Sequence, residues 1–167
     1  VTVANGAALE LQGGITVGAE ALSITGTGVA ANGALRNISG ANTWGGTVTL
    51  TGASEIQSDA GTLTLNAANA VTGVNTNLTV DGSGSTLVSG TITTGTGTLT
   101  KAGAGRLTLS GANTYTGLTT VGAGVLNLQN SNATGTTAGG VTVANGAALE
   151  LQGGITVGAE ALTLSGT

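Results

Sequence analysis

Triplets in which an apolar, a polar and again an apolar side chain follow one another recur along the whole chain. Examples are Val1-Thr2-Val3, Leu9-Glu10-Leu11, Ile15-Thr16-Val17, Val48-Thr49-Leu50, Leu63-Thr64-Leu65, Leu78-Thr79-Val80, Leu107-Thr108-Leu109 and Leu126-Asn127-Leu128. Alternation with period two turns Leu, Ile and Val to one side of an extended strand and Thr, Glu and Asn to the other. Turn-forming pairs punctuate the triplets: Asn5-Gly6, Gly13-Gly14, Asn32-Gly33, Gly45-Gly46, Asp81-Gly82 and Gly139-Gly140. Helix is disfavoured, because Gly costs about 1 kcal/mol per helical position relative to Ala and Thr and Val lose rotamer freedom there. The chain is expected to be all-β.

A second, longer period overlies the first. Residues 1–27 read VTVANGAALELQGGITVGAEALSITGT, and residues 141–167 repeat them at an offset of 140 with differences only at Ser23/Thr163, Ile24/Leu164 and Thr25/Ser165. The chain therefore reads as one unit, 1–140, and the start of the next, 141–167. It opens at Val1 and stops at Thr167, both inside strand-like patterns, and reads as a segment of a tandem array.

Strands of three residues are too short for an antiparallel sandwich, whose strands run to five or six and whose wide core often carries aromatics. A parallel β-helix, or β-solenoid, suits them. Each coil passes through about three short strands, turns at Gly or Asn, and lands on the coil below. From Val141 the pattern returns at Leu162, which is 21 residues; about 20–22 residues per coil are expected. At a strand spacing of ~4.8 Å one unit would rise roughly 30 Å. Each coil touches only its neighbours, so such a rod lengthens without a new core, and adjoining units would cover each other's ends. The triplets are weakest between residues 66 and 98.

The composition excludes several functions. Leu, Ile and Val number 39 of 167 residues, roughly 23%, which lies above the ~20% floor of disordered chains. Three basic residues, Arg36, Lys101 and Arg106, cannot neutralise a row of phosphates, so no nucleic-acid partner is expected. No apolar run is long enough to insert in a membrane as a helix. With neither His nor Cys, thiolate metal sites and the common nucleophile–base pairs are absent.

Residues 99–128 read LTKAGAGRLTLSGANTYTGLTTVGAGVLNL. This stretch resembles the passenger-associated repeat of bacterial autotransporters. Residues 34–65 resemble another segment found in the same passengers, and the two stretches share Ser-Gly-Ala-Asn-Thr-aromatic at Ser39–Trp44 and Ser110–Tyr115. The resemblance covers about 60 residues. It implies a right-handed parallel β-helix displayed on, or shed from, the bacterial outer surface, in proteins that are mostly adhesins, aggregation factors or stalks.

No catalytic, cofactor-binding or metal-binding residue is assigned. Glu55 and Asp59 are the nearest carboxylate pair, and they flank a turn with no Arg or Lys near them in sequence. Glu10 and Glu20 recur as Glu150 and Glu160; all are read as outward charges that keep strand edges soluble. Asp81-Gly-Ser-Gly-Ser resembles a fragment of a calcium loop but lacks the further carboxylates such a site needs, and it reads as a turn. Trp44 and Tyr115 read as packing residues rather than a sugar platform. Lys101, Arg106 and Arg36 read as surface partners or caps for corner carbonyls. Three sequons, at Asn37, Asn77 and Asn132, are no more than this composition gives by chance. The densest Thr run, Thr91-Ile92-Thr93 with Thr94, Thr96 and Thr98, raises the idea of an ice-binding row.

The leading expectation is a structural or adhesive repeat of an extracellular bacterial fibre. It would have no enzymatic role and no cofactor, and its partners would be adjoining units end to end and identical rods side by side. The alternative is a solenoid that recognises carbohydrate, a cell-surface ligand or ice through Thr/Asn ladders. A polysaccharide-degrading β-helix enzyme is the weakest reading.

Overall fold

A computed structural model describes residues 1–166. The strands pair in parallel throughout and wind into about seven stacked turns of about 22 residues. The fold is a β-solenoid with three faces. The first face holds β1 (Thr2–Val3), β4 (Leu22–Gly26), the first half of β7 (Val48–Ser58), β9 (Asn69–Gly73) and β12 (Thr91–Thr93). The second holds β2 (Leu9–Gln12), β5 (Leu35–Ser39), the second half of β7, β10 (Leu78–Asp81), β13 (Leu99–Lys101), β15 (Thr119–Val121), β17 (Val141–Val143) and β19 (Leu162–Leu164). The third holds β3 (Thr16–Val17), β6 (Ala41–Trp44), β8 (Thr62–Leu65), β11 (Ser85–Val88), β14 (Arg106–Leu109), β16 (Val125–Leu128) and β18 (Ala148–Leu151). Strand β7 turns the corner between the first two faces without a break.

The expected coil is present, since Val141 pairs with Leu162. Coil length varies around it. Leu107 pairs with Leu126, 19 positions on, whereas Thr16 pairs with Thr43, 27 positions on. The longest coil holds an extra loop at Gly28–Gly33, with a short 3-10 turn at Val29–Ala31. Beyond β12 the first face carries no regular strand. The chain there still docks coil on coil, with Thr114 N–H donating to Ile92 O (3.1 Å) and Thr136 N–H to Tyr115 O (3.0 Å).

Aliphatic side chains stack inward in columns. On the third face Leu63, Thr86, Leu107, Leu126 and Leu149 lie in register, and beside them Leu65, Val88, Leu109, Leu128 and Leu151. All of these but Leu149 and Leu151, in the last full coil, are buried. Each buried aliphatic contributes roughly 1.5–3 kcal/mol. Where the stack ends the core lies open. Leu151, Leu162 and Leu164 are more than half exposed, and a cavity of about 160 Å³ opens among Leu128, Val141, Leu149, Leu151, Val157 and Leu162.

The corners explain the glycine content. At one of them Gly97, Gly117 and Gly139 follow coil on coil. A Cβ added to Gly117 would overlap the Gly97 carbonyl oxygen, and one added to Gly139 would overlap that of Gly117. Neither collision depends on a special backbone angle; each follows from the spacing of the coils. Replacing Gly117 by Ala is therefore expected to cost about 1–3 kcal/mol through overpacking. Gly122→Ala, where the nearest atom outside its chain neighbours is Lys101 O at 3.6 Å, should stay within about 0.5 kcal/mol of the parent. Urea midpoints of the two variants check the contrast.

Candidate functional surface

Each face carries a main column of outward side chains. On the second face Glu55, Thr79, Thr100, Thr120, Thr142 and Thr163 stand in register on successive coils. On the first face the column is Thr2, Ser23, Thr49, Thr72 and Thr93. On the third it runs Thr16, Thr43, Thr64, Leu87, Thr108, Asn127 and Glu150. Neighbouring rungs are about 4.8 Å apart. A second outward column runs beside these on parts of the rod, through Glu10, Arg36, Gln57 and Asp81 on the second face and Ala41, Thr62 and Ser85 on the third. The first face also bears a shallow groove of about 410 Å³ between β7 and β9, lined by Thr49, Leu50, Thr51, Thr72, Gly73, Val74 and Thr76. The Thr76 hydroxyl is buried beside it without a partner, and Val74 is 86% exposed.

The densest Thr run does not make a double row. Thr91 and Thr93 point outward, and their hydroxyls both bond Asn69 Oδ1 (3.2 and 3.1 Å). Thr94 turns into the core. Thr96 and Thr98 form a corner, where their N–H groups donate to Asn75 Oδ1 and Asn77 Oδ1 (3.0 Å each). The row that sequence suggested is half face and half corner.

The carboxylates are more engaged than solvated surface charges. Arg36 bridges two coils on the second face, with Nη1 2.9 Å from Glu10 Oε1 and Nη2 2.5 Å from Asp59 Oδ2. Gln57 donates to the other Asp59 oxygen. Burial pushes the Asp59 carboxyl up, but the hydrogen bonds from Gln57 and Arg36 and the Arg36 charge outweigh it, and the net shift is downward. The sequence expectation that Asp59 has no nearby Arg is thus corrected: Arg36 lies 23 positions away in sequence and one coil away in space. Glu150 accepts from Arg106 (2.5 and 3.2 Å) and from Asn127 (3.2 Å). Glu160 accepts from the Thr134 hydroxyl. Glu55 departs furthest from the solvated reading. It is buried, with Oε1 unpartnered, and burial together with the Asp81 charge raises its pKa. Its electrostatic neighbour is Asp81 rather than Asp59, so Glu55 and Asp59 do not work as a pair.

The remaining candidates serve the fold. Asp81 Oδ1 accepts from Gly82 N–H (2.5 Å) in a turn, and among the described residues no three His, Cys, Asp or Glu side chains converge as metal ligands would. Trp44 and Tyr115 are both in the core; the Tyr115 hydroxyl bonds Thr119 Oγ1 at 2.7 Å. Asn37 is buried and donates to Ser58 Oγ and Ala60 O (2.9 and 3.0 Å), so its sequon is closed to modification in the folded chain. Lys101 points inward, in register with Val80 and Val121, and is 2% exposed. Its Nζ caps the corner carbonyls of Ala102, Gly103 and Ala123, and burial lowers its pKa.

Sequence reasoning gave Asn42 and Asn113, in the two copies of Ser-Gly-Ala-Asn-Thr-aromatic, no role. Both point inward and do the same task. Asn42 Oδ1 accepts from Ile15 N–H and Asn113 Oδ1 from Ile92 N–H, each at 2.7 Å. Each thus satisfies a backbone donor of the preceding coil. Asn113 Nδ2 also donates to Ala133 O on the next coil (2.5 Å).

Residues 99–128 match the Passenger-associated-transport-repeat family. No curated protein and no solved structure matches the chain. The matched residues run from β13 to β16 and include the inward Lys101, the bridging Asn113, the buried Tyr115 and corner glycines such as Gly105 and Gly117. Lys101 and Asn113 bond backbone groups of their own or an adjoining coil, Tyr115 fills the core, and Gly105 and Gly117 lie against carbonyls of the coil before. The chain thus contains a stretch similar to a passenger-associated repeat, and the residues named within it pack or hydrogen-bond between coils.

Two outcomes follow. Asn113→Leu leaves Ile92 N–H and Ala133 O unpaired in the core and is expected to cost roughly 2–5 kcal/mol, read as a lowered urea midpoint. For Glu55 the folded-state pKa lies above the ordinary 4.5, so ionisation opposes folding and stability falls as pH rises above that value. Glu55→Gln should therefore unfold at higher urea than the parent at pH 7, and the difference should vanish below about pH 4.

Proposed function

We propose that this chain is a segment of a surface-displayed bacterial rod that acts by holding distance and by lateral contact, without catalysis. The observation that carries this reading is the passenger repeat at residues 99–128, built into an unbroken stack of parallel coils. Backbone hydrogen bonds run coil to coil along the axis, and the aliphatic columns keep water out of the stack. With a net charge of −4 over 167 residues, long-range repulsion between rods is weak. The Thr columns offer hydroxyls at a regular spacing for packing against a second rod, as in cell aggregation or a biofilm matrix. The rod's place is the outside of the cell, which is where passenger repeats are typically found.

A second reading has its own observation. The groove on the first face, with Thr49, Thr51, Thr72 and Thr76 around an exposed Val74, has the hydroxyl-rich, shallow form that suits a carbohydrate chain. The columns beside the Thr rows carry Glu10, Arg36, Gln57 and Asp81 on the second face and Ala41, Thr62 and Ser85 on the third. This favours a glycan or a neighbouring rod over ice, which needs two parallel Thr rows.

Chains of two, four and eight 140-residue units test the first reading. Particle length by electron microscopy should grow by about 30 Å per unit, and side-by-side bundles should appear as concentration rises. Compact particles would overturn the rod, and rods that stay single at high concentration would overturn lateral contact. Binding to an array of bacterial glycans that is lost in Thr72→Val would instead support the groove.

A further inference from the structure

The two copies of the 27-residue segment do not lie on the same face. Val1-Thr2-Val3 is on the first face, where Thr2 pairs with Ser23 in the column that continues through Thr49 to Thr72. Val141-Thr142-Val143 is on the second, where Thr142 pairs with Thr120 in the column of Thr100 and Thr79. The next triplets move likewise. Leu9–Gln12 pairs on the second face with Leu35–Ser39, and Ala148–Leu151 pairs on the third with Val125–Leu128. Between Val1 and Val141 the chain completes six coils and one further face. The unit of 140 residues is six and one third coils, about 22 residues each.

The shared hexapeptide shows the same displacement independently. Asn42 lies in β6 on the third face, and Asn113 lies on the first, three coils and one face later. Each nonetheless accepts an N–H of the preceding coil at 2.7 Å and is followed two residues on by a buried aromatic. Local sequence here fixes a local task, and more than one face can host it.

From these placements we infer that tandem units of this solenoid are each turned by one third of a turn about the rod axis, so that the pattern of faces returns only after three units and 19 coils. The inference rests on the rod reading and deepens it: the partner surface is presented to second copies on every side in rotation. Whatever groove or Thr column a unit carries points in one direction in the first unit, another in the second and the third in the third. The ion pairs allow the junction. Glu10 is approached from the following coil by Arg36, while its counterpart Glu150 is approached from two coils before by Arg106. In an array the same glutamate receives both arginines from opposite sides. A rod with contacts on three sides grows into three-dimensional bundles rather than flat sheets.

The chain has no cysteine, so Val74→Cys, at an exposed corner position, gives one label per unit. In six-unit chains carrying a maleimide gold cluster, electron tomography should show the labels stepping round the rod and realigning at every third unit. Unlabelled six-unit rods should show an axial repeat of about 90 Å in averaged images, rather than about 30 Å. Labels along one line, or a repeat of about 30 Å, would overturn the one-third turn and leave the rod standing. Compact particles would overturn the rod, and this inference with it. If the label perturbs folding, the axial repeat of the unlabelled chain decides alone.

Discussion

Everything in this molecule follows from one distance, the ~4.8 Å between a coil and the coil it rests on. At that separation the carbonyl of one coil occupies the space where the next would place a Cβ at the corners. This is why Gly117 stands over Gly97 and Gly139 over Gly117. On the faces the same distance stacks like upon like, aliphatic columns inside and Thr columns outside. A polar group turned inward must then find partners within its own or an adjoining coil. Asn42, Asn113 and Lys101 each satisfy backbone groups in this way. Lys101, Asn113, Tyr115 and Gly117, within the matched residues 99–128, all take part in this stacking.

The architecture was legible because its signal is local. Alternation within three residues gives the inward and outward sides, and the recurrence of Val141 at Leu162 gives the coil. What sequence did not show depends on register between coils. In Ser85-Thr86-Leu87-Val88, alignment with Leu63 and Leu107 turns Thr86 inward and leaves Leu87 in the outward column, which the residue types alone do not suggest. Arg36 and Asp59 meet because one coil separates them. Lys101 looks like a surface residue until its place between Val80 and Val121 is known. The Thr run at 91–98 reads as a uniform row, yet a corner divides it. Sequence found the family at the residues that also match it, 99–128, since a motif is local too.

The three faces are close to interchangeable, and this loosens the tie between sequence period and structural period. In most repeat proteins a repeat is a whole number of structural turns because each side of the turn has its own character. Here the sides share short strands, outward hydroxyls and glycine corners, so a unit can end on a different side from the one on which it began. The first face shows the latitude this gives: beyond Thr93 it loses regular strand structure without breaking the stack.

The direction of the hydrogen bonds also determines how the rod yields. Because they lie along the axis, tension between its ends is carried by every interface between coils, and the terminal coil, held by one neighbour only, is the first to peel. A coil of 22 residues that occupied about 4.8 Å of length releases about 70–80 Å of extended chain when it unrolls. A solenoid of this kind gains more length from each coil that unrolls than that coil occupied in the stack. With no cysteine in the chain, what holds a coil against unrolling is its hydrogen bonds, its buried aliphatics and ion pairs such as Arg36 with Glu10 and Asp59.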